Sequence, residues 1–179
     1  MSGLNEIQIV QAARMLSDEL PNGWPTPVDA MHEIKERWKG TAALFLAAIE
    51  GGEVIGWGGI LEPHYDGNVF ELHPLVVRKD WQRKGIGSAL VTVLEDEARE
   101  KGGLTLWLGV DDEVDGKETS FRNADLYDDL PRHMRDFKSG NNQAAFYLKM
   151  GFKIIGVMPD SSGIGKPDII FGKSLCRHN

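Results

Sequence analysis

The sequence contains one cysteine, Cys176, among 179 residues. It therefore cannot form an intramolecular disulfide, which favours a reducing compartment, and we expect a cytoplasmic protein. Nothing close to Cys176 in the sequence would activate its thiol. We interpret this cysteine as a spare thiol near a chain end rather than as a nucleophile.

Long apolar runs are also missing. The longest, from Ala42 to Ile49, is far too short to cross a bilayer. The start of the chain lacks the basic segment and the following apolar segment of a secretory signal. We therefore expect no membrane partner and no secretory signal.

Basic residues are not in excess, and the formal net charge is −7. Binding to nucleic acid depends mainly on neutralising phosphates, so a nucleic-acid partner is not expected. A small cationic partner suits this charge better, although solubility alone would explain it equally well. The apolar share of 41% and the charged share of 26% are typical of globular proteins, and the length predicts one domain over residues 1–179.

The first third of the chain predicts two helices. Apolar residues at positions 9, 13, 16 and 20 recur at spacings of three and four, which indicates one buried helix face. Pro21-Asn22-Gly23 ends this helix. Trp24 lies in the irregular connection that follows, and a second helix is expected from Val28 to Trp38.

The remainder predicts a strand meander followed by alternating helices and strands. Three strands are expected at Ala42–Ile49, Val54–Leu61 and Val69–Val77, with a hairpin turn at Glu50-Gly51-Gly52. The later expected elements are a helix at Ser88–Lys101 ended by Gly102-Gly103, a strand at Leu104–Val110, an irregular acidic stretch at Asp111–Gly140, a helix at Asn142–Met150, and strands at Phe152–Met158 and Ile169–Ser174. This order predicts an α/β domain with a mixed sheet.

A glycine-rich turn between a strand and a helix is the most informative segment. Gly85 and Gly87 place no side chains where backbone amides could face an anion, and the start of the following helix adds unpaired N–H groups. Four cations lie within seven residues here, at positions 78, 79, 83 and 84. The pattern fits neither a Walker loop nor a dinucleotide fingerprint. It indicates another kind of pyrophosphate site, although a tight turn without a ligand would explain the same glycines.

The turn also carries a family resemblance. Gln82-x-x-Gly85-x-Gly87 resembles the Gln/Arg-x-x-Gly-x-Gly/Ala signature of the GCN5-related N-acetyltransferase superfamily, where it binds the pyrophosphate of coenzyme A. Tyr147-x-x-x-Gly151-Phe152 resembles the second signature of that superfamily. The segment before Ile7 is too short and too polar to supply the first strand that the family usually has.

A closer similarity is to the enterococcal-type aminoglycoside 6′-N-acetyltransferases, from about Trp24 to the C-terminus. The segments that carry it are Phe70–Val77, Gly102–Asp112, Asp125-Leu126-Tyr127 and Gly165–Ile169. The resemblance implies an α/β fold with a mixed central sheet, helices on both of its faces and a splayed strand pair that binds coenzyme A. It also implies acetyl-coenzyme A as co-substrate, without a metal, and a possible homodimer. It implies coenzyme contacts at Leu75, Val76, Val77, Gln82, Arg83, Lys84, Gly85, Ile86, Gly87, Ser88, Asn142 and Tyr147.

Acetyl transfer from a thioester requires a neutral amine, and a base helps because alkyl ammonium groups have a pKa near ~10. Glu71 stands inside an apolar strand, where an idle carboxylate is costly. The resemblance places a catalytic glutamate at this position, acting through water. His73 faces the same side of the strand and would orient the reacting groups or transfer a proton. A salt-bridged strand residue and a hydrogen-bonded core histidine remain the structural alternatives.

Two further groups complete the predicted chemistry. The backbone amide of Leu75 would stabilise the oxyanion where the sheet splays. By its family position, Tyr147 would protonate the departing thiolate. Because aromatic residues flank it in the sequence, Tyr147 is explained equally well as a core residue.

The acidic segment after position 110 allows three interpretations. Such a run is ordinarily a solvated loop. It resembles a calcium loop in part, but Glu113 and Arg122 stand at positions three and twelve, so calcium is not expected. A rim that receives a cationic substrate is the better functional interpretation, with Asp111 and Asp112 as candidates and Trp24 as the opposite wall.

The leading hypothesis is an acetyl-coenzyme A-dependent N-acetyltransferase that acts on the 6′-amine of an aminoglycoside. The second keeps this chemistry but takes a polyamine, a peptide or another small amine as acceptor. A third, of another class, is a non-catalytic module that binds coenzyme A or senses calcium. The catalytic candidates Glu71 and Tyr147 and the defective calcium loop argue against the third hypothesis.

Overall fold

The computed structural model describes residues 4–37, 43–61 and 63–176. These residues form two compact units. The first runs up to Leu106 and includes Leu175 and Cys176, and the second is Trp107–Ser174. The expectation of a single acetyltransferase domain over residues 1–179 stays a prediction.

Helix α1, Glu6–Glu19, begins the first unit, and no described residue before it lies in a strand. Asn5 and Gln8 form a capping box, in which each side chain accepts a hydrogen bond from the backbone N–H of the other. The predicted apolar face is confirmed, since Ala13 and Leu16 are buried in the core of this unit. The helix ends at Glu19, and its C-cap, Leu20, directly precedes the predicted breaker.

Helix α2 is Pro27–Arg37. It begins with proline, whose missing N–H is not needed in the first turn. Ala30 and Ile34 pack into the same core as α1. The predicted helix is confirmed over its described length, and its predicted last residue, Trp38, lies outside the described residues.

The predicted meander is confirmed. Strands β1, Leu44–Glu50, β2, Glu53–Ile60, and β3, Val69–Val77, pair antiparallel in sequence. The β1–β2 turn places Gly51 and Gly52 at φ angles of 57° and 86°, which glycine adopts without steric cost. The predicted start of β1, Ala42, lies outside the described residues.

A β-bulge interrupts the pairing of β2 with β3. Gly58 pairs with Leu75 but Ile60 pairs with Leu72, so β3 has one extra residue in this interval. The interval contains Pro74, which has no N–H to donate to a neighbouring strand, as predicted. Along β3 burial alternates strictly, which puts Glu71 and His73 on the same half-buried face.

After β3, a short 3-10 helix, Lys79–Trp81, and a turn lead into α3, Ile86–Glu100. This helix begins two residues before the predicted start. Its buried face includes Leu90, Val91 and Leu94, as predicted. Gly102 follows its end at a φ of 86°, which confirms the left-handed cap.

The second unit holds most of β4, Thr105–Asp111, whose first two residues belong to the first unit. Its other elements are α4, Leu130–Arg135, α5, Ala144–Lys149, β5, Lys153–Met158, and β6, Asp168–Ser174. Helix α4 corrects the prediction that the whole acidic stretch is irregular. It forms because the Asp129 side chain caps the N–H of Arg132 and proline opens the first turn.

The strand order is β1-β2-β3-β4-β6-β5 in a six-stranded sheet. With its five α-helices in the described residues, the chain has the predicted mixed α/β fold. None of the helices described is long and apolar enough to cross a membrane.

Candidate active site

The predicted pyrophosphate turn has the geometry of an anion site. Arg83 and Gly85 adopt positive φ angles of 63° and 86°, and Gly85 is the residue before α3. No side chain caps the first N–H groups of this helix. Unpaired N–H groups at a helix start, together with the helix dipole, attract negative charge. Residues 83–88 therefore fit a phosphate group of the kind that coenzyme A carries.

A carboxylate from α1, which the sequence did not indicate, stabilises the turn. Glu19, at the end of α1, accepts a hydrogen bond of 2.8 Å from the backbone N–H of Lys79 and one of 3.0 Å from Gln82 Nε2. Gln82 Nε2 also donates to the carbonyl of Val77 at 2.9 Å. The side chain of Gln82 thus supports the turn, and its predicted contact with the coenzyme stays a prediction.

Two of the four predicted cations already have partners in the protein. Arg78 donates at 2.8 Å to Asp80 and at 2.9 Å to Glu53, and these hydrogen bonds raise the pKa of its guanidinium. Lys84 Nζ lies 4.5 Å from the centre of the Trp81 ring. Arg78 therefore fixes the end of β3, whereas Lys84 is held beside the turn.

A second cluster in the first unit gathers groups suited to a cationic acceptor. His73 Nε2 lies 3.3 Å from Glu33 Oε1, and His73 Nδ1 lies 3.9 Å from Glu71 Oε1. The Trp24 ring packs against the imidazole with 5.6 Å between the ring centres. The side chains of Glu33, Glu71 and His73 are only 20–27% exposed. The predicted residues Trp24, Glu71 and His73 therefore lie together, and Glu33 joins them.

Glu33 is ionised over the whole working range of pH. The hydrogen bond with His73 is the largest cause, Arg37 contributes through a 2.8 Å hydrogen bond, and together they lower the pKa of Glu33 to about 2 against the effect of burial. The only signal in the sequence was the spacing of Glu33 and Arg37, which is typical of an exposed helix pair. Nothing in the helix periodicity indicated contact with β3.

In the second unit, Tyr147 on α5 is 8% exposed and packs against the rings of Phe146, Phe152 and Phe171. Burial raises the pKa of its phenol, so the hydroxyl stays protonated at neutral pH. The packing agrees with the interpretation of Tyr147 as a core residue. Its role as the proton donor to the thiolate stays a prediction.

Asn142 has a structural role in the same unit. Its Oδ1 accepts from the N–H of Ala144 at 2.9 Å, and its Nδ2 donates to the carbonyl of Lys117 at 3.0 Å. The residue is 5% exposed. Asn142 thus caps the start of α5 and fastens it to the acidic stretch, and its predicted contact with the coenzyme stays a prediction.

The environment of Asp112 differs from the prediction that this residue lines a substrate rim. It is fully buried, and its carboxylate accepts hydrogen bonds from Thr119, at 3.1 Å from the N–H and 2.6 Å from Oγ1. A carboxylate that is both buried and engaged in this way holds the loop and does not face a substrate. Its neighbour Asp111 alternates to the other face of β4 and is exposed.

The exposed carboxylate of Asp111 is consistent with the predicted substrate rim. Partial desolvation of the carboxyl and the charge of Glu113 raise its pKa, while a 3.3 Å hydrogen bond from Ser162 Oγ opposes them. Farther along the acidic stretch, Arg122 donates to the carbonyl of Asp112 and to the Asp115 carboxylate. Within the described residues, no group of three His, Cys, Asp or Glu side chains could hold a metal ion.

Residues 9–118 match the model of the Acetyltransferase (GNAT) family, which is more than half of the chain. The chain therefore belongs to this family, and it is an N-acetyltransferase that uses acetyl-coenzyme A to acetylate an amine. The predicted family and co-substrate are confirmed.

Two solved structures are similar over nearly the whole chain. An aminoglycoside 6′-N-acetyltransferase complexed with coenzyme A is 30% identical with a TM-score of 0.90, and the match covers 100% of this chain and 97% of the other. The aminoglycoside 6′-N-acetyltransferase from Enterococcus faecium is 31% identical with a TM-score of 0.86, covering 98% and 94%. No curated protein sequence matches.

More distant structures share the fold alone. The ribosomal-protein-S18-alanine N-acetyltransferase from Escherichia coli is 18% identical, with a TM-score of 0.64 over 98% of this chain and 93% of the other.

Proposed function

We propose that this enzyme acetylates the 6′-amine of an aminoglycoside. The observation that carries the proposal is the similarity to two aminoglycoside 6′-N-acetyltransferases, at 30% and 31% identity over at least 94% of every chain compared. Similarity over the full length includes the acceptor side of the fold, where members of one family differ most in what they bind.

The acceptor-side cluster supports a polycationic substrate. Glu33 and Glu71 place two carboxylates around His73, and Trp24 offers an aromatic face to a cation. An exposed ion pair contributes only up to about 1 kcal/mol, so recognition of an aminoglycoside requires several such contacts acting together. We assign Asp111 to the same task as a separate contact in the second unit, and we leave Asp112 out of the binding set.

Glu71 is the proposed general base. The ammonium group of the acceptor loses its proton to the Glu71 carboxylate, directly or through one water, and the free amine then attacks the acetyl carbonyl. Acetyl-coenzyme A supplies the thioester, whose C–S bond breaks as the new C–N bond forms. The position of Glu71 beside His73 on a half-buried face keeps the carboxylate accessible to a substrate.

Two other roles belong to this proposal. The backbone amide of Leu75, which follows the bulge in β3, stabilises the negative charge that develops on the carbonyl oxygen. Tyr147 returns a proton to the sulfur of the leaving group as the C–S bond breaks. On the coenzyme side, the backbone of residues 83–88 holds the pyrophosphate.

A thiol-release assay with purified enzyme tests the acceptor. A matched pair of neomycin-like compounds, one with an amine and one with a hydroxyl at the 6′ position, isolates the reacting group. We expect turnover with the amine only, and mass spectrometry should locate one acetyl group at the 6′ position. A monoamine of similar size should be a much poorer substrate.

Glu71→Gln tests the base, since it removes proton acceptance and keeps the shape. We expect turnover at neutral pH to fall 10²–10⁴-fold, which is about the usual contribution of a general base. Thiol release with simple amines but with no aminoglycoside would overturn the acceptor assignment. Wild-type rates in the folded variant would remove Glu71 from the chemistry.

A further inference from the structure

We propose that Glu33 is a positioning residue that holds the His73 ring with its Nε2–H toward α2 and its Nδ1 toward Glu71. The inference rests on the proposed role of Glu71 as the base. It adds a third residue, from a different element, to the pair on β3, and it makes His73 the next proton acceptor after Glu71.

The geometry around the imidazole carries this inference. Glu33 Oε1 is 3.3 Å from Nε2, and Glu71 Oε1 is 3.9 Å from Nδ1. The Trp24 ring packs against the imidazole and restricts its tilt. The two nitrogens therefore face two different carboxylates.

The charge on Glu33 determines which nitrogen of a neutral His73 carries the proton. An ionised carboxylate accepts hydrogen bonds and cannot donate one, so the nitrogen facing Glu33 must be protonated to bond with it. Glu33 stays ionised because its pKa is about 2. A neutral His73 consequently has its proton on Nε2 and an open lone pair on Nδ1, toward Glu71.

This tautomer provides a continuous route for one proton. The proton taken from the acceptor amine by Glu71 passes to His73 Nδ1, which leaves Glu71 ionised and converts His73 to an imidazolium. Glu33 then neutralises the imidazolium from the opposite side. The separation of 3.9 Å between Nδ1 and Glu71 is longer than a hydrogen bond, and such contacts commonly tighten when substrate binds.

Two carboxylates and one guanidinium lie around His73. They are Glu33 on α2 and Glu71 on β3, with Arg37 on α2 reaching the imidazole only through the shared Glu33 oxygen. Glu33→Gln removes the carboxylate that accepts from Nε2. The amide of glutamine can donate as well as accept, so the preference of the ring proton for Nε2 should weaken.

Imidazole NMR on the unliganded protein measures this directly, without an acceptor. In the wild type, neutral His73 should carry its proton on Nε2. In Glu33→Gln the share of the tautomer with its proton on Nε2 should fall, and Glu33→Asp, which keeps a carboxylate, should stay closer to the wild type. Arg37→Gln is the matched control, because it removes the other partner of Glu33 but leaves the carboxylate facing Nε2, so the tautomer should not change.

A kinetic cycle then separates positioning from packing. Glu33→Gln should lower kcat about three- to tenfold, with KM for acetyl-coenzyme A unchanged, and Glu33→Asp should restore part of the loss. In a His73→Gln background, Glu33→Gln should have no further effect on kcat.

An unchanged His73 tautomer in folded Glu33→Gln, or an equal loss of kcat in both backgrounds, would overturn the inference. Failure of the proposed function would give a different result. Glu71→Gln would then have wild-type kinetics, or no aminoglycoside would be acetylated, while the change of the His73 tautomer in Glu33→Gln would still appear.

Discussion

Glu19 accepts a hydrogen bond of 3.0 Å from the side chain of Gln82, a residue 63 positions later in the chain. The same carboxylate accepts from the backbone N–H of Lys79. These two contacts join the end of α1 to the turn before α3. The amide of Gln82, which belongs to the family signature, therefore acts on the shape of the turn.

Glu19→Ala should weaken coenzyme A binding through the shape of the turn. It removes two hydrogen bonds to a carboxylate, and we expect affinity to fall about three- to tenfold because each such bond contributes only modestly in exposed positions. Calorimetry with coenzyme A measures this. Asp18→Ala, the exposed neighbour on α1, makes the same change of charge and should bind normally. Equal losses in both variants would assign the effect to net charge.

Gly87→Val should block the anion site itself. A valine in the first turn of α3 places a branched side chain beside the amides that face the pyrophosphate. We expect coenzyme A affinity to fall about tenfold or more, with the fold preserved by circular dichroism. Ala89→Val, on an exposed position of the same helix, is the matched control. Unchanged affinity in folded Gly87→Val would move the coenzyme away from this turn.

Asp112→Asn should cost stability rather than acceptor binding. One oxygen that accepts from Thr119 becomes an NH₂ group, which leaves a buried donor facing a donor. We expect the free energy of unfolding to fall by about 2 kcal/mol, as for other buried unsatisfied groups. Urea unfolding measures it, with exposed Asp115→Asn as the control. A stable variant with a raised KM for the acceptor would return Asp112 to the substrate rim.

Glu33 should make folding sensitive to acid. Because its folded pKa of about 2 lies below the ordinary value of 4.5, its ionised form stabilises the folded state above pH 4.5. That contribution is lost as pH falls from 4.5 toward 2. After screening it amounts to about 1 kcal/mol. Urea unfolding should therefore separate the wild type from Glu33→Gln at pH 6 and bring them together near pH 2. A gap that does not narrow on acidification would contradict this.

Tyr147→Phe separates the two interpretations of this buried ring. Loss of a proton donor should lower kcat at least tenfold and leave KM for acetyl-coenzyme A nearly unchanged. Thermal unfolding provides the control, since phenylalanine fills almost the same space among the neighbouring rings. Wild-type kcat in this variant would make Tyr147 a core residue only.

Patterns that depend on neighbours in sequence predicted most of the fold. The alternation in β3, the periodicity of α1 and α3 and the glycines around residues 51 and 102 all reflect local geometry, and the structure confirms them. Helix α4 was missed because its six residues carry no apolar periodicity, and its cap at Asp129 has a left-handed backbone that sequence alone does not indicate.

The site was less predictable, because its geometry depends on contacts between distant elements. The alternation of β3 correctly placed Glu71 beside His73. Glu33 lies 40 residues before His73, and only the packing of α2 brings the two together. The burial of Asp112 likewise depends on Thr119, which folds back from an irregular stretch. The acidic segment was recognisable from its charged residues. The sequence did not indicate which of these carboxylates are exposed to solvent.

The bulge in β3 determines which residues of this strand share a face. Because β3 has one residue more than β2 between Leu72 and Leu75, deleting one residue there would leave a regular ladder. The same deletion would put Glu71 and Leu75 on opposite faces of the strand. The proposed base and the proposed oxyanion contact therefore depend on a single inserted residue, which the pairing of the sheet itself does not require.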